Sequence, residues 1–142
     1  MKDRNRLMQL ASGLLLSGFV VTSALAGDAA PVDKWVYIIS PSDGATVSSP
    51  VTVRFGLQGM GVAPAGTDKA NTGHHHLLVD GEQLPDMSQP MGKEVMHFGG
   101  GQTETTLELA PGRHTLQLIL GDQHHRPHHP PLVSDRITIE VK

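Results

Sequence analysis

The chain of 142 residues contains no cysteine. This excludes a disulfide framework, a thiolate metal cluster and a lipid-modified cysteine, so a fold made from this sequence is held by its core alone. There is no excess of basic charge, the formal net charge being −3, and nucleic acid as a partner is excluded for want of a cationic footprint. Only one long apolar run occurs, and it lies at the start. No convincing amphipathic helical period is found. The Gly-x-Ser-x-Gly nucleophile motif is missing, and the triple glycine Gly99-Gly100-Gly101 is not followed by the Lys-Ser/Thr of a phosphate loop. These absences argue against an enzyme.

The early apolar run has the form of an export signal. Lys2, Arg4 and Arg6 precede a stretch from Leu7 to Val21, and Ala24-Leu25-Ala26 offers the small-x-small pattern of a cleavage site. The run is shorter than the roughly 20 residues of a spanning helix. The expectation is a cleaved signal peptide over residues 1–26, one domain over 27–142, a periplasmic location and no membrane attachment after cleavage. Loss of Lys2, Arg4, Arg6 and Asp3 leaves 8 basic and 13 acidic residues, a net charge of −5.

Beyond the signal the apolar residues alternate with period two. Trp35–Ile39 reads as a strand closed by the turn residues Pro41-Ser42-Asp43-Gly44. Val51, Val53, Phe55 and Leu57 alternate with polar residues and Gly56, so the odd positions should face the core. His75–Asp80, Thr105–Leu109 and His114–Leu120 read as further strands, and Ile137, Ile139 and Val141 mark the last one. Residues 59–73 and 85–92 read as loops. Six or seven short strands separated by turn residues predict an all-β fold, an immunoglobulin-like antiparallel β-sandwich.

What the chain has in abundance is histidine, nine in all. With no thiolate available, imidazole is its main strong metal ligand. On a strand, His74 and His76 share a face about 7 Å apart while His75 points away. Leu78 has the parity of His74 and His76, and Leu77 that of His75, so parity leaves open which set is inside. His97 precedes Phe98 and the glycine run. The tract His124-His125-Arg126-Pro127-His128-His129-Pro130-Pro131 carries paired imidazoles on a chain stiffened by proline. The candidate metal ligands are His74, His76, His97, His124, His125 and His128. His114 shares the parity of Leu116, Leu118 and Leu120 and reads as a buried neutral histidine bonded to a carbonyl or carboxylate.

Met60, Met87, Met91 and Met96 lie in or near the loops and bring soft thioether sulfur close to the imidazoles in sequence. Mixed histidine and methionine favour copper first and zinc second. Binding is expected to weaken below about pH 6.5, where imidazole protonates.

Two passages resemble known domains. SPSDGATVSSPVTVRF is similar to the opening strands of many bacterial immunoglobulin-like domains, and LAPGRHTLQLILGD with SDRITIEV is similar to their closing strands. GHHHLLVD, HFGGGQTET, PGRHTLQLILGD and HHRPHHPP together resemble the domain-of-unknown-function 4399 family of exported bacterial proteins, over nearly all of the mature chain. That resemblance implies fold and location and carries no activity with it. Two functions from different classes follow from the residues: a periplasmic protein that buffers or delivers copper or zinc, or a non-catalytic cell-envelope interaction module, bound to another envelope protein, whose histidines respond to pH.

Overall fold

The computed structural model describes residues 33–142. The expected signal peptide over 1–26 and its cleavage site lie outside the described residues. The described residues form one compact unit. Its strands are β1 (Trp35–Ser40), β2 (Thr46–Val47), β3 (Val51–Gln58), β4 (Gly61–Val62), β5 (Thr72–Val79), β6 (Met96–His97), β7 (Glu104–Leu107), β8 (Gly112–Gly121) and β9 (Ile137–Val141). There is no helix among the described residues, and none is long and apolar enough to cross a membrane.

The strands form two sheets. One has the order β1-β3-β7, and the other has the order β2-β9-β8-β5-β4 with β6 paired to β5. Most pairings are antiparallel, but the two-residue contacts of β2 with β9 and of β4 with β5 are parallel. The result is a two-sheet β-sandwich with mixed pairing at the margins of its larger sheet.

The alternation in β3 does what its period requires. Val51, Val53 and Phe55 are buried against the other sheet while Thr52 and Arg54 are exposed. Ile137, Ile139 and Val141 of β9 join them from the opposite side, with Leu77 of β5 and Leu116 and Leu118 of β8. Leu77 and Leu118 are direct cross-strand partners and both have no exposed surface.

β5 departs from simple alternation, since Gly73 through Leu78 are all buried. The reason is a second cover. One face, with His75 and Leu77, meets Phe55 and Phe98 between the sheets. The other face carries His74, His76 and Leu78; there Leu78 and Ile119 pack with Met91 and Val95 from the loop after β5, supported by Met87 and Val133. A strand covered on both faces reads as a continuous buried run instead of an alternating one. Its hydrogen bonds are made on both sides, to β8 and to the short β6 and β4.

His114 is half-buried, not buried as its parity predicted. It lies near the start of β8, where the strand reaches the margin of the sandwich. Its Nδ1 stands 2.7 Å from Oδ2 of Asp80 and its Nε2 2.8 Å from the carbonyl of Ala110. Both partners are acceptors, so the protonated ring, which can donate from both nitrogens, is favoured. The bond to Asp80, then that to Ala110, raises its pKa above 6.5. The expected partner types, a carboxylate and a carbonyl, are present, and both favour the protonated ring.

Candidate metal centre

The site begins with the parity of β5. Because Leu78 faces the loop that caps the sheet, His74 and His76 face the same way, and their ring centroids are 4.7 Å apart. β6 adds the next imidazole. His97 is the direct antiparallel partner of His76, and directly opposed residues project to the same face. Their rings stack at 5.2 Å. The N–H of Phe98 donates to the carbonyl of His75 and keeps the segment in register. A side chain on Gly99 would have its Cβ 2.4 Å from Cε1 of His97, so glycine there leaves room for the ring.

The fourth imidazole comes from the turn after β8. The N–H of Asp122 donates to the carbonyl of Arg126, and the N–H of His125 to the carbonyl of Asp122. Oδ1 of Asp122 accepts from the N–H groups of His124 and Arg126. This staple holds His125 in the left-handed region, at φ 63°, and the Nδ1 of its ring lies 3.1 Å from Nε2 of His74. The carbonyl of His125 accepts from the N–H of Met91 at 2.8 Å, tying the turn to the capping loop.

His74, His76, His97 and His125 thus meet, each offering a ring nitrogen within 4.8 Å of the others. The most widely separated ring pair, His76 and His125, has centroids 6.0 Å apart. A tetrahedral ion with bonds of about 2.0–2.1 Å holds its nitrogens about 3.3 Å apart. Closing on an ion would require the rings to turn toward one another. His74 and His76 are fully buried, His125 is half-buried and His97 is exposed, so the cluster opens to solvent on the His97 side.

The electrostatics match a ligand set. Burial, followed by the neighbouring imidazoles His97 and His125, lowers the pKa of His74 to about 4. Burial, followed by His74, His97 and His125, lowers that of His76 to about 3. His97 is lowered as well, by burial and then by His125. His74 and His76 therefore keep their free lone pairs well below pH 6.5, and the expected onset of proton competition moves to lower pH for these two rings. Nδ1 of His74 and both nitrogens of His76 are buried with no hydrogen-bond partner in the protein. Each such atom costs on the order of 1–3 kcal/mol, and a cation shared among the rings would offset that cost.

The other candidates lie elsewhere. His124 is exposed, its ring 3.2 Å from the side-chain amide of Gln123. His128 is half-buried beside Gly73, where an added Cβ would lie 2.8 Å from its Nε2. Burial lowers its pKa and Lys34 adds to this, while Asp122 opposes it. His75 stands between the sheets, its ring 5.2 Å from that of Phe55.

A family model described as a domain of unknown function, DUF4399, matches residues 53–142. The chain belongs to this family. All four clustered histidines lie within the DUF4399 match. No curated protein and no solved structure matches the chain.

Proposed function

We propose that this DUF4399 protein binds a transition metal ion through His74, His76, His97 and His125, and that it buffers or delivers copper, or failing that zinc, outside the cytoplasm. The observation that carries the reading is the convergence of four imidazoles from three separate segments; two of the rings, His74 and His76, have buried and unpaired nitrogens. His75 is likewise buried without a partner at either nitrogen, but it stands alone against Phe55, so it is the convergence of four rings, and not the missing partners alone, that marks the site. Four neutral nitrogen donors suit Cu(II) and Zn(II). Four protein donors would fill a tetrahedral coordination sphere and leave no open position for water, so the protein is read as a binder and not an enzyme. The export pattern at the start of the chain supports the periplasmic setting.

Calorimetry with Zn(II) and Cu(II) tests this. The unaltered protein should bind one ion per chain and keep it against a moderate chelator. His76→Ala should weaken binding by about a hundredfold or more, beyond the 10–100-fold typical of losing a partner behind a ligand. His129→Ala, an exposed residue of the histidine tract, should change it by less than about threefold, a few tenths of a kcal/mol. Small and equal losses in the two variants would reduce the binding to an adventitious property of the tract. A parent protein that binds neither ion would leave the envelope-interaction reading in its place.

A further inference from the structure

Of Met60, Met87, Met91 and Met96, only Met91 is buried. It sits in the loop that caps the outer face of β5, and its backbone N–H donates to the carbonyl of His125, itself one of the four clustered histidines. Its side chain ends near a second of them. A Cβ placed on Gly121 would lie 2.6 Å from Cε1 of His76 and 2.9 Å from Cε of Met91. The two carbons thus both lie over the Gly121 backbone, no more than 5.5 Å apart, the sum of those two distances, and Cε1 of His76 is the ring carbon between its two unpaired nitrogens.

The loop is fixed in this position. Arg126, which follows His125, donates from Nη1 to the carbonyl of Ser88. Oδ1 of Asp86 accepts from both the N–H and the hydroxyl of Ser88, and Oε1 of Glu94 accepts from the N–H of Gly92. Met91 is thus bracketed by turns closed by their own side chains, and the segment is tied to the His125 turn at two points.

We propose that the thioether of Met91 is a fifth donor of the four-histidine site, making it a copper site that holds Cu(I) as well as Cu(II). Thioether sulfur is a soft ligand that prefers the cuprous ion, whereas imidazole alone serves Cu(II) and Zn(II) comparably. The inference rests on the metal-binding reading above and adds to it the oxidation state and the residue that selects it. Met96 provides the internal control. It neighbours His97 on β6, but 40% of it is exposed, and it belongs to neither buried cluster.

The test is an anaerobic titration of the full chain with Cu(I) against a chromogenic Cu(I) chelator, beside a Zn(II) titration, for the parent, Met91→Leu and Met96→Leu. Leucine keeps nearly the same apolar volume and removes the sulfur. Met91→Leu should weaken Cu(I) binding about tenfold or more, equivalent to at least about 1.4 kcal/mol, and leave Zn(II) binding unchanged. Met96→Leu should alter neither. Equal losses for both ions in Met91→Leu, or no loss for either, would overturn the role of the sulfur while leaving the four-histidine site standing. A parent that takes up neither ion would overturn the site itself. Copper K-edge absorption of the Cu(I)-loaded parent supplies a readout that needs no variant: a sulfur scatterer beside the nitrogens is expected, and a shell of nitrogen alone refutes the proposal even if Met91→Leu fails to fold.

Discussion

His76 and His114 stand on neighbouring strands of one sheet, β5 and β8, and are held in opposite ways. The ring of His114 lies at the margin between two acceptors, Asp80 and Ala110, and its pKa is raised. The ring of His76 is buried among three other imidazoles, has no protein partner at either nitrogen, and its pKa is lowered to about 3. The same side chain is held by two acceptors in one place and is an unsatisfied base in the other. Partners decide the difference: a carboxylate and a carbonyl favour the proton, while a ring of like bases in a covered site disfavours it and leaves lone pairs for a metal ion.

Both regions depend on the β5–β8 pair, and the largest expected effect is damage to that shared support. Leu118 is fully buried opposite Leu77. Leu118→Ala should destabilise the protein by about 2–5 kcal/mol in chemical denaturation. Thr138→Ala, at a half-buried position on the polar side of β9, should cost well under about 1 kcal/mol by comparison. Equal losses would mean that the strand parity assigned to β8 and β9 is wrong.

The next effect separates the two histidines by sign. In metal-free protein His76→Leu should raise stability by on the order of 1–3 kcal/mol, because two buried, unpaired nitrogens are replaced by apolar surface. His114→Leu should lower it by about 1 kcal/mol, since it removes a ring bonded on both sides. Urea denaturation of the two variants is sufficient. If both are destabilising to a similar degree, His76 has a partner within the protein and the contrast fails. An excess of Zn(II) should then stabilise the parent and not His76→Leu, because an ion that binds only the folded state adds its binding energy to folding.

The last comparison is the dependence of stability on pH. For His74 and His76 the folded pKa values, about 4 and about 3, lie below the ordinary imidazole value of 6.5. As pH falls from 6.5 towards 4 the unfolded chain takes up protons that the folded chain does not, so metal-free protein loses stability on the acid side. His114 acts in the opposite window. Its folded pKa is raised, so its contribution is complete below 6.5 and is lost as pH rises through the raised value. Denaturation midpoints at about pH 5, 6.5 and 8 should therefore peak near the middle. His76→Leu should shallow the acid limb and His114→Leu the alkaline one. The reverse assignment would refute the electrostatic contrast.

The sandwich was largely legible from the chain, because alternation is a local signal. Val51, Val53 and Phe55 in β3, and Ile137, Ile139 and Val141 in β9, are buried as their spacing demands. The strand at His75–Asp80 begins three residues early, at Thr72, and ends one early, at Val79. Asp80 has left the strand for a left-handed turn at φ 54°. β6 was not legible at all. A two-residue strand has no period to detect, and it exists because Met96 and His97 find partners in β5.

The candidate site divides in the same way. The sequence by itself determined the inventory: imidazole and thioether without thiolate, His74 and His76 on one face of a strand, and a histidine-rich tract after β8. Tertiary structure decided which of these meet. The outer face of β5 is covered only because the loop carrying Met91 and Val95 folds back over it, and no local pattern in β5 encodes that return. Within the tract, His125 joins the cluster while His124 stays exposed. Adjacent residues in a turn point in different directions, and the direction is set by the Asp122 staple and the left-handed φ of His125. Side-chain parity along a strand follows from backbone geometry over two residues, whereas the meeting of His74, His76, His97 and His125 requires chain closure over 51 residues, which only the assembled sandwich fixes.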